Sequence, residues 1–217
     1  MTVHSHEGDL PDGLDLGPIV AIDCETMGLQ PHRDRLCVVQ LSGGDGNAHV
    51  VRIPIDATSA PNLERLLADP AVLKLFHFGR FDIAVMAHRF GVTARPVWCT
   101  KIASKLVRTY TDRHGLKNLC SELLGIDISK QQQSSDWGAT ALSAAQLLAI
   151  ACMAVALRET APTLVTTAPV ATAPVAAAAT SIAAAAAHVA TSEAIGAGAG
   201  LRAVCLRIDP RVLELGT

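Results

Sequence analysis

Aromatic residues are scarce in this chain of 217 residues, where they make up 3% of the sequence and include a single tyrosine, Tyr110. Charged residues account for 18%, and the formal net charge is −2. That total gives no sign of a nucleic-acid partner, because proteins that bind nucleic acids commonly carry an excess of basic residues. The length allows one domain of ordinary size with additional segments.

Two other common signals are also absent. The six cysteines are widely spaced without a C-x-x-C pair, so nothing supports a zinc site or thioredoxin-type chemistry. The first sixteen residues, MTVHSHEGDLPDGLDL, are polar and acidic and lack the apolar stretch of a secretory signal. We therefore expect a cytoplasmic protein with free thiols, and no feature indicates a membrane or an obligate protein partner.

The charges are unevenly distributed along the chain. Residues 1–70 contain 4 Lys/Arg and 11 Asp/Glu, whereas residues 71–130 contain 10 Lys/Arg and 4 Asp/Glu. An acidic first part and a basic middle are compatible with a metal site beside a phosphate-binding surface. Ordinary charged helix faces would give the same counts.

Hydrophobic patterns predict a mixed α/β domain that begins with three strands joined by short turns and continues with alternating strands and helices. The expected strands cover 17–26, 35–42, 48–54 and 71–78, and the expected helices cover 60–70, 79–91, 100–110 and 114–125. We assign residues 1–16 to a polar lead, 17–158 to the domain, and 159–217 to a low-complexity tail.

The composition changes after about residue 140. Residues 141–157 carry no charge and predict an Ala/Leu helix, which is too short and too alanine-rich for a convincing membrane span, so we expect a buried helix. Residues 160–200 contain one charged residue, Glu193, and no aromatic residue. Such a sequence lacks the large side chains of a core, which predicts poor order, with a local helix near 176–190.

Two carboxylates, Asp23 and Glu25, end the apolar strand that starts at residue 17. Side chains two apart on a strand project to the same face, with Cys24 on the other. Like charges that close repel, and burial adds to the cost, so shared protons, a basic partner or a cation must compensate. Oxygen ligands suit Mg²⁺ or Mn²⁺. Two solvated acids in a loop are the simpler interpretation.

Two further stretches stand out. Asp82 in HFGRFD lies just inside a predicted helix, where its charge would also suit the helix dipole. SSDWGATALSAAQL, at 134–147, is a string that composition does not predict. IDCETMGL at 22–29 and HFGRFD resemble the first and second exonuclease motifs of the ribonuclease D type of 3′→5′ exonuclease, within the DEDD superfamily. SSDWGATALSAAQL resembles the segment that leads into the third motif of that family. The resemblance covers residues 17–148.

The resemblance implies a ribonuclease H-like fold, two Mg²⁺ or Mn²⁺ ions, and hydrolysis of the 3′-terminal phosphodiester of RNA or another single-stranded nucleic acid, with release of nucleoside monophosphates. In that family, Asp23 would bridge both ions, Glu25 would bind the water-activating ion, and Asp82 would hold the second. The positive charge of the ions would relieve the carboxylate repulsion.

Other residues are nucleotide-binding candidates by resemblance or position. Met27, Gly28 and Leu29 form the corner that lies against the terminal nucleotide in the family, although Gly28 would also serve a positive φ and Leu29 a core position. Phe78 and Phe81 flank the second motif, where packing and base stacking are both open. His77 suits either a near-core histidine or a contact. The remaining candidates are a basic stripe on one predicted helix: Lys101, Lys105 and Arg108.

The third family motif, Tyr-x-x-x-Asp, is missing. Counted from Gln146, its positions fall on Ala149 and Met153, and one residue later they fall on Ile150 and Ala154. No Asp occurs between Asp136 and Asp209. A reading-frame change or degeneration near residue 147 would explain both this loss and the alanine-rich sequence that follows.

The missing motif predicts weak activity or none. One ion would keep Asp23 and Asp82, whereas the water-activating ion would lose a ligand and the water its orienting hydroxyl, unless Glu159 or another acid substitutes. The alternatives are a catalytically inactive nucleic-acid-binding relative and a frameshifted, truncated product.

Overall fold

A mixed six-stranded sheet organises the chain, and helices cover both of its faces. The structure is a computed structural model that describes residues 1–128, 132 and 135–166, with only the backbone at 163, 165 and 166. The strand order is β1-β4-β3-β2-β5-β6. The strands are β1 (Val3–Glu7), β2 (Ile19–Thr26), β3 (Leu36–Ser42), β4 (Ala48–Arg52), β5 (Leu73–Phe76) and β6 (Val97–Cys99).

The sheet combines two kinds of pairing. β2 pairs antiparallel with β3, and β3 pairs antiparallel with β4. β1 runs parallel to β4, β5 to β2, and β6 to β5. This is the predicted α/β class of fold, with antiparallel strands first and parallel strands after them.

Two strands were not expected. β1 lies in the segment that we predicted as a polar lead, and β6 is only three residues long. β1 has one buried apolar side chain, Val3, and only His, Ser and Glu residues on its remaining positions, so its hydrophobic pattern is weak. Pairing with β4 and the ion pair between Glu7 and Arg52 hold it at the sheet edge.

The helices are α1 (Pro61–Ala68), α2 (Arg80–Phe90), α3 (Thr100–Val107), α4 (Leu116–Leu119) and α5 (Ala144–Thr166), with a π-helical turn at Cys120–Leu124 after α4. The first core lies between one sheet face and α1 and α2, and includes Val39, Leu41, Leu63 and Met86. The second lies under α5, where Val38, Val50, Leu147 and Ile150 pack together.

α5 begins with a capping box, which explains the unusual string around Ser143. The Ser143 Oγ accepts a hydrogen bond from the Gln146 backbone N–H at 3.2 Å. The Gln146 Oε1 accepts one from the Ser143 N–H at 2.9 Å. A serine followed three residues later by glutamine satisfies two free N–H groups at a helix start, so this pair fixes where α5 begins.

α5 is long and apolar enough over Ala144–Pro162 to cross a membrane by length and composition alone, and it alone meets that test in the described part of the chain. Half of that span is buried inside the protein. Ile150, Ala154 and Leu157 lie against the sheet and its neighbouring helices with 1% exposure or less. A core helix accounts for its composition. The tail predicted from 159 continues α5 to Thr166, and its remainder, including the helix expected near 176–190, lies outside the described residues.

Candidate active site

Three carboxylates meet at one end of the sheet. Asp23 and Glu25 are on β2, and Asp82 is in the first turn of α2, which follows the neighbouring strand β5. All three line a cleft of about 960 Å³. Since β2 and β5 are parallel and adjacent, the end of β2 lies beside the start of α2, which follows β5.

Asp82 is held against β2 by hydrogen bonds to Cys24. Its Oδ1 accepts from the Cys24 backbone N–H and from the Cys24 thiol, both at 3.1 Å. Asp82 is only 6% exposed, and its carboxyl group lies within hydrogen-bonding reach of the Asp23 carboxyl. The expectation that Cys24 projects away from Asp23 agrees with its place in the core under α2.

The electrostatics of the site are those of acids forced together. Burial raises the pKa of Asp23 well above its usual value, and the negative charges of Asp82 and Glu25 add to the shift. Burial and the Asp82 charge raise the pKa of Glu25 to about 7. None of the three forms a salt bridge with the described residues. Without a cation, Asp23 and Asp82 are best accommodated by sharing a proton.

An oxygen-only donor set on a buried acid pair fits Mg²⁺ or Mn²⁺. Within the described ranges, however, no three His, Cys, Asp or Glu side chains already enclose an ion. Asp23 and Asp82, whose carboxyl groups lie within hydrogen-bonding reach of each other, form the pair that would hold an ion, with Glu25 beside them on β2. The fit is that of an open site with few protein ligands.

The corner after Glu25 is exposed to the cleft. Leu29 is 82% exposed and Met27 is 53% exposed, so the core interpretation of Leu29 is wrong. Gly28 does not have a positive φ, which makes that explanation wrong as well. The reason for glycine is steric, because a Cβ at position 28 would lie 2.3 Å from the Asp34 Oδ2.

The two phenylalanines around the second motif differ. Phe81 is partly buried against the core under α2, while it also lines the cleft. Phe78 is 56% exposed, with the Lys101 ammonium 4.0 Å from its ring centroid. Its φ of 66° is the one positive value at a non-glycine residue in the described part of the chain. Such backbone strain is concentrated at functional sites.

His77 is a hydrogen-bonded histidine on the wall of the cleft. Its Nδ1 lies 2.9 Å from the Thr100 hydroxyl, which donates its own proton to the Phe76 carbonyl at 3.2 Å. His77 Nδ1 must therefore carry a hydrogen, leaving Nε2 as an acceptor. Burial and the nearby Lys101 lower the pKa of His77 to about 4, so the ring is neutral at physiological pH.

The predicted basic stripe is interrupted. Lys105 is exposed on α3 and Lys101 is half-buried beside Phe78. Arg108 is 2% exposed, and its guanidinium donates to the Ser104 hydroxyl, the Arg113 carbonyl and the Glu122 carboxylate. It closes the turn after α3 and does not reach the surface that the stripe requires.

The opposite wall of the cleft is formed by α5 and is apolar. Ala149, Ile150 and Met153 line it, whereas Ala154 is fully buried and does not. The first of the two predicted registers for the missing motif, Ala149 and Met153, is therefore the one whose positions both line the cleft that contains the carboxylates. Glu159, considered as a substitute acid, lies further along α5 and is not among the lining residues.

Sequence reasoning missed Gln40, whose amide contacts Asp23. Its signal was a single long polar side chain inside LCVVQLS, residues 36–42, a strand that is otherwise almost wholly apolar. It also missed the contact between Gly138 and the residues that flank β2 and β3. There the Arg35 Nη2 donates to the Gly138 carbonyl at 3.1 Å, and Gly138 approaches Met27 so closely that a Cβ would lie 2.5 Å from its sulfur.

A mixed sheet with an acidic cleft at its end is the arrangement expected of a metal-dependent nuclease. A family model described as 3′-5′ exonuclease matches residues 10–151. The chain belongs to this 3′-5′ exonuclease family, as the ribonuclease D resemblance predicted.

Sequence relatives agree with this assignment. A ribonuclease D from Granulibacter bethesdensis is 40% identical over 130 residues, which cover 60% of this chain and 32% of that protein. A ribonuclease D from Acidiphilium cryptum is 37% identical over 138 residues, covering 64% of this chain and 35% of that one. The chain thus spans about a third of the length of the curated relatives that it matches.

A solved structure of Brucella melitensis NrnC bound to pGG is similar over a longer stretch. It is 56% identical, with a TM-score of 0.74 over 77% of this chain and 81% of that one. NrnC has also been solved with bound Mg²⁺, at 55% identity and a TM-score of 0.73 over 77% of this chain and 82% of that one. Both structures share the mixed-sheet architecture described above, which confirms the predicted ribonuclease H-like fold.

Proposed function

We propose that this chain binds the 3′ end of single-stranded RNA in the cleft and hydrolyses the terminal phosphodiester, releasing nucleoside monophosphates, at a strongly reduced rate. The observation that carries the proposal is the convergence of Asp23, Glu25 and Asp82 on one cleft in a member of the exonuclease family. The Mg²⁺ and the pGG seen with Brucella melitensis NrnC support a divalent cation and a short nucleotide as ligands.

Asp23 and Asp82 would hold a divalent cation, and Glu25 would contribute to a second position. Bound ions supply charge stabilisation and a more acidic water at the scissile phosphate. The protein residues around them bind and orient the substrate. Met27 and Leu29 present apolar surface to a terminal nucleotide, and His77 Nε2 is an acceptor for a sugar or base donor. Phe78 and Lys101 present a ring and a positive charge at the same wall.

The reduced rate follows from the composition of the α5 wall. The family places a tyrosine hydroxyl and a carboxylate where this chain has Ala149 and Met153, and neither residue orients a water or binds a cation. Removing a preorganised group of this kind commonly costs about two to three orders of magnitude in rate. Substrate binding depends mainly on the other wall, so we expect binding to persist where turnover is nearly lost.

The test uses the full chain, a 3′-labelled single-stranded RNA and pGG, each with Mg²⁺ or Mn²⁺. We expect weak, metal-dependent release of mononucleotide that is abolished in Asp23→Ala. Robust turnover abolished by Asp23→Ala would contradict the impaired rate. The absence of both binding and turnover with either metal would contradict the whole proposal.

A second candidate is a nucleic-acid-binding relative without catalysis, and the apolar α5 wall favours it. Salt-sensitive RNA binding with no product after long incubation would identify this function. Retained turnover that requires Asp23 would exclude it.

A third interpretation is a product of a shifted reading frame, with no biochemical role of its own. The family match stops at residue 151, within α5, close to the point where the motif is lost. Translating the other two frames of the gene beyond codon 147 tests the idea. Recovery of Tyr-x-x-x-Asp followed by charged helices would support it, and its absence from both frames would reject it.

A further inference from the structure

Gln40 occupies an unusual position for a long polar side chain. It lies in the middle of β3, in which all seven residues are buried, and it is itself 0% exposed. Its neighbour across the antiparallel pair is Asp23. A buried amide is unfavourable unless its hydrogen bonds are satisfied, so packing alone favours a hydrophobic residue here.

The hydrogen bonds of this amide point to one purpose. Its Nε2 donates to the Asp23 Oδ2 at 2.7 Å. Its Oε1 has no partner among the described residues, although the atom is fully buried. The amide is therefore half-satisfied, and the one bond it makes goes to a carboxylate of the cleft. A buried amide that donates to a cleft carboxylate restricts the orientation of that carboxylate.

The geometry complements the way in which Asp82 is held. Asp82 receives two hydrogen bonds from Cys24, one from the backbone and one from the thiol. Asp23 receives its bond from the opposite direction, across the sheet from β3. Each of the two acids therefore has one oxygen fixed by a donor from the sheet, which leaves the other oxygen of each for the neighbouring acid or a cation.

We propose that Gln40 is a positioning residue, which fixes the Asp23 carboxylate in one rotamer so that its free oxygen is directed at the divalent cation before the cation binds. This inference rests on the proposed function, because it requires a cation at Asp23. Groups that hydrogen-bond a metal ligand orient it, and their loss typically lowers metal affinity about 10- to 100-fold.

The test is the Mn²⁺ affinity of the full chain, measured from the electron paramagnetic resonance signal of free Mn²⁺ during titration. Gln40→Met keeps the length of the side chain and removes the donor. We expect its Mn²⁺ affinity to fall at least about tenfold, while its melting temperature without metal stays near that of the wild type. Gln40→Asn retains an amide that is too short to reach Asp23, so it should show the same loss and supplies the result if Gln40→Met does not fold.

Ser42→Ala is the matched control. Ser42 is also 0% exposed on β3, two residues from Gln40, and its hydroxyl donates to the Asn47 carbonyl at 2.8 Å, away from the acids. Its loss should lower the melting temperature and leave Mn²⁺ affinity unchanged. A purely structural Gln40 would behave in the same way.

The variant Asp23→Asn distinguishes a failure of the positioning role of Gln40 from a failure of the proposed metal site. If the wild type binds Mn²⁺, Asp23→Asn does not, and both Gln40 variants bind as tightly as the wild type, the positioning role is overturned while the proposed function stands. If the wild type itself binds no Mn²⁺ at the cleft, the proposed metal site fails and this inference fails with it.

Discussion

The two walls of the cleft differ in the chemical groups that they present. The sheet wall, from β2 and the start of α2, keeps three carboxylates together despite their repulsion and holds two of them with buried hydrogen bonds. The α5 wall borders the same cleft and presents Ala149, Ile150 and Met153. The comparison shows that one cleft can combine a wall of acidic groups with a facing wall of apolar side chains.

The largest expected effect comes from restoring the α5 wall. Ala149→Tyr combined with Met153→Asp should raise the rate of 3′-end release from RNA by about 10²-fold or more, because it adds a hydroxyl and a carboxylate opposite Asp23 and Asp82. The measurement is single-turnover hydrolysis with Mn²⁺.

The shifted pair Ile150→Tyr with Ala154→Asp is the control for this experiment. Ala154 is fully buried and does not line the cleft, so the shifted pair should lose stability and gain no activity. Equal gains from both pairs, or no gain from a folded Ala149→Tyr/Met153→Asp protein, would contradict our assignment of the register.

A second experiment examines the sheet wall. Asp82→Asn should reduce Mn²⁺ affinity about 100-fold or more, since it removes a charged ligand. The same change should raise the melting temperature of the metal-free protein by a few degrees, because it removes one of the repelling buried charges while the amide oxygen still accepts from Cys24. Met153→Leu on the facing wall should change neither quantity. A fall in metal-free stability in Asp82→Asn would show that repulsion is not the dominant effect.

The pH dependence should carry the signature of the acids. The pKa of Glu25 is raised to about 7 in the fold, so the folded metal-free protein binds a proton more tightly than the unfolded chain does. The contribution of the protonated Glu25 to the free energy of unfolding is complete below the ordinary glutamate pKa, and it is lost as pH rises through the folded-state pKa of about 7. The melting temperature without metal should therefore fall between pH 5 and 8.

Cation binding should show the opposite trend. Below pH 7 a cation that uses Glu25 must displace its proton, so Mn²⁺ affinity should fall up to about tenfold per pH unit as the solution becomes more acidic. Scanning calorimetry with and without Mn²⁺ measures both trends. Glu25→Gln should flatten them, and unchanged slopes in that variant would assign the effect to other groups.

The smallest effect is expected at the edge of the sheet wall. Lys101→Gln should weaken binding of single-stranded RNA about two- to threefold and reduce the salt slope of the affinity by about 0.7, the value for one lost phosphate contact. Arg65→Gln on α1 is the control, because Arg65 is exposed on the other face of the sheet. Equal losses in both variants would indicate general charge attraction and exclude a contact at Lys101.

Some of this organisation was predictable from local pattern. Asp23 and Glu25 lie in the last half of β2 and Asp82 opens α2, and the parallel neighbours β2 and β5 bring such positions together. The resemblance to ribonuclease D supplied the order of the motifs. The strands of the first core and helices α1 to α3 were expected within a few residues because their hydrophobic periods are clear.

Other features depend on contacts that the sequence does not encode locally. β1 has a weak pattern and forms because β4 offers an edge. Arg108 has the spacing of a surface stripe, but Ser104, Arg113 and Glu122 together bury it. Gly28 requires glycine because of Asp34, six residues away along the chain. Each of these depends on three-dimensional contacts, which hydrophobic periodicity does not show.

The reciprocal bonds between Ser143 and Gln146 set the rotational phase of α5 before the chain reaches the cleft. Because each residue of a helix is rotated by a fixed angle from the one before it, this start determines the direction in which every later residue of α5 points. Changes of identity downstream therefore alter what the helix displays without altering where it displays it. The side chains of the α5 wall can therefore be substituted one at a time while each position keeps the direction in which it faces.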